Sequence, residues 1–267
     1  MPNNKDKVLA HYEDYNNRTG EDNRATSSRS ASLEFHYSKK ILDSYINKDS
    51  RILEVGCATG YYGFHFADKC KEYVGVDLFP HHIEIFQRKI KESGIDNLSC
   101  LVGDATNLDN IDDNSFDVVL CLGPMYHLPP EERELVFAEC KRIAKPGAVL
   151  AFAYISPMGA YLKACMTWTE HYPNKLTNEY VLKKGIDDER PGLFFYNTPE
   201  QMQESAAAHG LEIIKNAGVD FTFNDTVINN MSEEKFESWL ELTDCMAESE
   251  SCAGLANHSL LLCKKTA

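Results

Sequence analysis

The residues of this chain best able to do chemistry stand just behind short apolar runs. In Glu54-Val55-Gly56-Cys57-Ala58-Thr59-Gly60, two glycines follow a strand-like stretch and precede a run with helical spacing. A strand that turns this sharply into a helix offers backbone N–H groups to small anionic or zwitterionic ligands. Asp77 closes the next apolar run, 21 residues past Gly56, where a carboxylate can accept hydrogen bonds from both hydroxyls of a ribose. Asp104 follows the third run, and Leu122-Gly123-Pro124-Met125-Tyr126-His127 the fourth. A dinucleotide fingerprint counted from Gly56 would need glycine at 58 and 61, where Ala58 and Tyr61 stand, and no Gly-rich loop ends in Lys-Ser or Lys-Thr. Both absences disfavour a diphosphate, because those glycines let a backbone approach pyrophosphate and a helix pack closely behind it. Ribose without pyrophosphate points to a nucleoside ligand.

The elements that must position these groups follow from the pattern around them. Strand-like runs recur at 51–55, 73–77, 98–102, 117–122, 148–155, 211–217 and 259–264, separated by helical patterns. Such alternation implies parallel strands joined by crossover helices. The clearest helix lies in PPEERELVFAECKRIAKPG: prolines and acids open it, Val136, Cys140 and Ile143 keep one face apolar, and basic residues close it before Pro146-Gly147. In LEFHYSKKILDSYI, Tyr37, Ile41 and Tyr45 predict a helix packed on the sheet. Residues 1–32 are polar and rich in Asn, Asp, Arg and Ser, a composition that reads as a disordered tail. From 156 to 199 the alternation breaks, and Tyr161, Trp168, Tyr172, Phe194 and Tyr196 are among too many aromatics for an idle linker. Phe236, Trp239, Leu240 and Thr243 predict a further helix before the last strand.

At 267 residues the chain suits one large α/β domain. No apolar stretch approaches the roughly 20 residues of a spanning helix, and the N-terminus lacks the apolar core of a secretory signal; a cytoplasmic protein with no membrane partner is expected. Nine cysteines without a C-x-x-C pair fit a reducing compartment and neither a disulfide framework nor a zinc site. The adjacent His81-His82 reads as the start of a helix, not a metal pair, because neighbours on a helix face different ways. With 27 basic and 41 acidic residues, a net charge of −14 repels a phosphate backbone, so nucleic acid is a disfavoured partner.

Taken in order, these stretches resemble the class I S-adenosylmethionine-dependent methyltransferases, especially the small-molecule branch. ILEVGCATG is similar to their first motif, VGVDL to the acidic ribose strand, GDATNL to the adenine motif, and FDVVLCLGPMYHL to the fourth strand and its outgoing loop. RIAKPGAVLAFAYI is similar to the fifth strand with its preceding turn, and HSLLLCKK to the last, antiparallel strand. The close similarity spans about residues 35 to 155; Ala58 stands where many members have a third glycine.

The resemblance implies a Rossmann-like, doubly wound α/β fold: seven strands, mostly parallel with an antiparallel last strand, and helices on both faces. Residues 33–267 would form the methyltransferase domain, 1–32 an N-terminal cover, and 156–199 a helical, aromatic lid over the substrate. The cofactor implied is S-adenosyl-L-methionine, leaving S-adenosyl-L-homocysteine as product. Gly56 and Gly60 would let the backbone approach its methionine part, Asp77 would hold the ribose, Leu78 would flank the adenine, and Asp104 with the Ala105 N–H would read the adenine edge. Carbonyls near Leu122 would meet the ammonium, Glu54 would touch it through water or brace the loop, and Arg24 or, by preference, Arg29 would clamp the carboxylate from the cover. A plain turn role stays open for the glycines, and a cap for Asp104.

Methyl transfer from a sulfonium needs alignment and desolvation but no metal or covalent intermediate. A base is required only for an acceptor that starts protonated. His127 is the first candidate for base or substrate contact, with Tyr126 beside it and Tyr12, Tyr15, Tyr161, His171 and Tyr196 behind; bracing the loop before Pro129 is the competing role of His127. The acceptor expected is a small molecule, since LGPMY stands where adenine-N6 enzymes of nucleic acid carry an N/D-P-P-Y/F motif. The alternatives are a methyltransferase of RNA or protein, a non-catalytic S-adenosylmethionine binder, and a nucleotide-linked oxidoreductase.

Overall fold

The alternating pattern resolves, in the computed structural model, into one seven-stranded sheet of order β3-β2-β1-β4-β5-β7-β6. Its strands are β1 (Arg51–Val55), β2 (Glu72–Asp77), β3 (Leu98–Val102), β4 (Phe116–Cys121), β5 (Ala144–Ile155), β6 (Leu211–Gly218) and β7 (His258–Lys265). The structure describes residues 4–266 apart from 19 and 188; residues 1–3 and 19 of the expected cover, and 188 of the expected lid, lie outside the described residues. β1 pairs in parallel with β2 and β4, while β7 runs antiparallel to both β5 and β6, between which it is inserted. β5 begins earlier than the sequence pattern suggests: the helix before it ends at Ile143, Ala144 already pairs with Phe116, and the register slips before Val118 meets Val149.

Ten α-helices surround the sheet among the described residues: α1 (Asn4–Arg18), α2 (Arg29–Leu42), α3 (Tyr61–Phe66), α4 (Pro80–Ser93), α5 (Pro130–Ile143), α6 (Pro157–Thr167), α7 (Lys175–Thr177), α8 (Pro199–Ala208), α9 (Asp225–Asn229) and α10 (Glu233–Ala247). Successive strand residues serve opposite faces. Ile52, Leu120, Leu260 and Leu262 pack with Leu33 and Tyr37 of α2, Phe66 of α3 and Phe86 of α4. Leu53, Val119, Leu150, Phe152 and Leu261 pack instead with Val136, Phe137 and Cys140 of α5 and Met202 and Ala206 of α8. No helix among the described residues is long and apolar enough to cross a membrane.

The disordered tail read from the composition of residues 1–32 is corrected. Residues 4–18 are helical and Val8 is buried. Composition concealed an amphipathic spacing: Val8, Tyr12 and Tyr15 fall on one helical face. Strand order reverses at β1, with β2 and β3 to one side and β4 to the other. A crevice therefore opens beyond the carboxyl ends of β1 and β4.

Candidate active site

That crevice is a cavity of about 1160 Å³ including its open mouth. Its floor is the turn after β1. Gly56 and Cys57 donate their N–H groups to Val76 O at 2.7 and 3.0 Å, tying the turn to β2. Gly56 has φ +82, and a Cβ there would stand 2.6 Å from Pro124 Cδ; the glycine lets the two loops touch. Gly60, at φ +85, does not border the cavity, and a Cβ on it would meet the Phe86 ring at 2.2 Å. Its bareness serves the packing of the turn against Phe86 of α4.

Asp77 ends β2 at the cavity wall. Its Oδ2 accepts from Ala58 N–H at 2.8 Å; Oδ1 accepts from Phe79 N–H at 2.9 Å and from His82 Nδ1 at 3.2 Å. Ala58 sits at φ 44, a left-handed position, so the Asp77 bond holds an otherwise unfavourable turn. His82 is buried behind Asp77, while His81 points to exposed Glu84. Leu78, Gly103, Asp104, Ala105 and Leu122 also line the cavity. Asp104 Oδ1 accepts from Thr106 N–H and Oγ1 at 3.0 and 2.8 Å, and its Oδ2 meets Lys5 Nζ of α1 at 2.9 Å. Burial alone would raise this carboxyl, but the Thr106 N–H and the Lys5 ammonium hold it below its ordinary value.

Glu54 borders the cavity from beneath and takes a 2.5 Å hydrogen bond from Tyr73 O–H. Burial pushes its carboxyl up to about 8, against the pull of that bond. From above, α1 contributes Asn4, Lys5, Val8, Leu9 and Tyr12. Asn4 donates from Nδ2 to His127 O at 2.5 Å, while its Oδ1 is buried without a hydrogen-bond partner. Such an orphaned acceptor suits a ligand that brings an N–H or O–H donor.

A second cavity, of about 850 Å³, adjoins the first; Tyr12, Glu21, Arg24, Tyr126 and His127 line both. His127 is locked on both sides of its ring. Nδ1 faces Leu193 O at 2.9 Å and must donate, so Nε2 accepts from Tyr12 O–H at 3.0 Å. Burial drives the imidazole down to about 4, opposed by the Leu193 bond. A neutral ring whose acceptor nitrogen is already engaged is a poor general base and a good brace. Burial raises the Tyr126 phenol above its ordinary range. Phe194 and Tyr196 of the aromatic stretch line the second cavity, whereas Trp168 is exposed.

Arg29 is not brought to either cavity. Its guanidinium donates to Met231 O at 2.5 Å, pairs with Glu233 and lies over the Phe236 ring. Arg24 stands in its place, but not as an unengaged clamp: Nε meets Glu21 at 2.7 Å and NH1 meets Glu34 at 2.8 Å. His258 continues the row, 3.7 Å from Glu34 and 3.0 Å from Asp220. Sequence reasoning missed Glu21, Glu34, Asp220 and His258, which share no spacing; β7 entering between β5 and β6 brings His258 into the row.

Residues 52–147 match the family model described as a methyltransferase domain, so this part of the chain is a methyltransferase domain, with S-adenosylmethionine as the cofactor its motifs imply. Among curated proteins, it is 32% identical over 106 residues to a ubiquinone biosynthesis O-methyltransferase of Hahella chejuensis, covering 40% of this chain and 43% of that one. The namesake from Colwellia psychrerythraea is 24% identical over 175 residues, 65% of each. The chain thus spans between about two fifths and two thirds of these relatives. A solved S-adenosylmethionine-dependent methyltransferase from Aquifex aeolicus superposes with a TM-score of 0.56 at 12% identity, covering 97% of this chain and 98% of that one.

Proposed function

We propose that this protein moves a methyl group from S-adenosylmethionine to a small-molecule acceptor held in the second cavity. The observation that carries this reading is the shared wall: a ligand in the first cavity and one in the second would meet at Tyr12, Glu21, Arg24, Tyr126 and His127. When bound, the cofactor supplies an electrophilic methyl group on a sulfonium sulfur. The chain's own part is to bind, align and exclude water. Asp77 would accept from the ribose hydroxyls, Asp104 and Ala105 would face the adenine, with Leu78 beside it, and Glu54 would lie under the ammonium. The helix α1 would act as the cover, since Lys5 and Asn4 bind groups on the cavity's far walls.

A second cavity that adjoins the first and a net charge of −14 favour a small acceptor over RNA. The ubiquinone O-methyltransferase names of the relatives point the same way. The test is to incubate the purified protein with isotopically labelled S-adenosylmethionine and a metabolite extract, and to search for labelled products by mass spectrometry. A labelled small molecule is the expected result; label appearing only in RNA or protein refutes the reading.

A further inference from the structure

The ends of β6 and β7 build a carboxylate–imidazole pair beside the second cavity. The two strands are antiparallel, with Gly218 opposite Ser259, so the residues just past β6 stand beside the start of β7. Val219 N–H donates to His258 O at 2.9 Å and Asn257 N–H to Asp220 O at 3.0 Å, which fixes the two side chains together. Asp220 Oδ2 lies 3.0 Å from His258 Nδ1 and accepts from Asn257 Nδ2 at 3.3 Å, while Oδ1 accepts from Thr222 N–H at 3.2 Å. Burial would raise the Asp220 carboxyl, but His258 and the charge of Lys163 hold it well below its ordinary value. An ionised carboxylate only accepts, so Nδ1 carries the hydrogen and Nε2 of the neutral ring is an acceptor. The other tautomer, with Nδ1 accepting from Asn257 Nδ2 at 3.0 Å, would turn its lone pair on a carboxylate oxygen at the same distance. Among the described residues Nε2 has no hydrogen-bond partner, yet it is not one of the buried atoms left without one; it opens on the second cavity, which His258 lines. The ring is 6.1 Å from that of Tyr126, on the wall the two cavities share. Burial would lower the His258 imidazole, but Glu34 of α2, 3.7 Å from Nδ1, and Asp220 raise it above its ordinary value, against the pull of Arg24. His127, with both nitrogens engaged, offers no such acceptor.

Resting on the methyl-transfer reading above, we propose that the acceptor presents a phenol-type hydroxyl at the shared wall, that His258 Nε2 is the base that takes its proton, and that Asp220 positions the ring. The O–H bond breaks as its proton passes to Nε2. An oxygen lone pair forms the new O–C bond as the C–S bond breaks, and the electrons of the broken bond stay on sulfur, leaving the neutral thioether of S-adenosylhomocysteine. The positive charge lost by sulfur is matched by that gained on the imidazolium, which then gives its proton to water through the second cavity. A phenol ionises in water at about 10, too high to be a strong nucleophile near neutrality without a base, and a raised imidazole is the better matched acceptor for its proton. Tyr12, Tyr126, Phe194 and Tyr196 line this cavity and offer faces and edges against which an aromatic ring packs.

The experiment uses the full chain with isotopically labelled histidine nitrogens, saturated with S-adenosylhomocysteine, and NMR with the His258 ring assigned through its backbone. The neutral ring is expected to keep its hydrogen on Nδ1 and to titrate above the ordinary histidine value, and Asp220→Asn to lower that midpoint. A hydrogen on Nε2, a ring that never titrates, or a midpoint unmoved in folded Asp220→Asn overturns the proposal. The tautomer is read on the unmodified protein, so a poorly folded variant does not spare it. The acceptor probe is para-nitrophenol, with para-nitroanisole as its proton-free match. The phenol is expected to bind about tenfold more tightly, and to show its phenolate absorbance at a pH where the free probe is protonated. His258→Gln is expected to remove both effects while S-adenosylhomocysteine still binds in calorimetry. No preference for the phenol, or no such absorbance, overturns the proposal; absorbance that survives in His258→Gln overturns it as well and assigns the phenolate to Arg24 or Arg190. If the unmodified chain binds S-adenosylhomocysteine but fails these tests, the base assignment falls alone. Failure of S-adenosylhomocysteine to bind the unmodified protein defeats the methyl-transfer reading itself.

Discussion

Asp77→Ala tests the placement of the nucleoside most directly. The side chain has two separable duties. Toward the protein it accepts from Ala58 N–H at 2.8 Å and Phe79 N–H at 2.9 Å, and toward the cavity it is proposed to accept from two ribose hydroxyls. A hydrogen bond to a charged acceptor contributes about 1.5–3 kcal/mol net, so losing both ribose bonds costs about 3–6 kcal/mol, roughly two to four orders of magnitude in Kd. The freed backbone donors lie in a partly hydrated turn, and losing their acceptor is expected to cost about 1–3 kcal/mol of stability. Urea unfolding separates this second loss from the first, and calorimetry with S-adenosylhomocysteine reads the first at a temperature where the variant is folded. Asp77→Asn keeps one carbonyl oxygen but turns an amide N–H toward a backbone donor, so its affinity should fall between the two. A folded Asp77→Ala protein whose Kd lies within about threefold of the parent would refute the ribose assignment.

Gly60→Ala should lower stability by about 2–4 kcal/mol, read as a lower Tm, because the added Cβ enters the Phe86 ring and the position is left-handed; an unchanged Tm would refute the packing role. Arg29→Ala should leave S-adenosylhomocysteine affinity unchanged and cost no more than about 1 kcal/mol of stability, since its ion-pair partner Glu233 is 72% exposed; a large affinity loss in calorimetry would restore it to the site. For Glu54, the folded carboxyl is raised to about 8 from an ordinary value of 4.5. The folded state thus holds a proton that the unfolded chain gives up, and stability should fall as pH climbs through that window. Glu54→Gln should flatten this slope in Tm measured against pH; identical slopes would show that Glu54 is not the group responsible.

The reading of the chain succeeded where the signal was local. A strand, a bare turn and a helix announce themselves within 51–67, and all seven strands lie within a few residues of the runs that predict them. Asp77, Asp104 and Leu122 could be placed on one edge because a parallel sheet puts all its carboxyl ends on the same side. The methyltransferase motifs therefore needed no tertiary information. Gly60 shows the limit even there: sequence marks a glycine, but only the packed Phe86 ring says which side of the turn requires it.

Other assignments were decided by contacts between distant segments. Arg24 and Arg29 lie in the same polar stretch, and nothing in their spacing says that one borders the cavities while the other pairs with Glu233. His127 reads as a base until Tyr12, 115 residues away, and Leu193, 66 residues away, occupy both its nitrogens. The row of Glu21, Arg24, Glu34, Asp220 and His258 exists only once α2 has packed on the sheet and β7 has entered between β5 and β6. Periodicity and turn chemistry are properties of neighbours along the chain, so sequence alone determined the sheet and the edge on which Asp77 and Asp104 stand. Desolvation and charge pairing depend on what the fold brings together, and those set the character of the wall that the two cavities share.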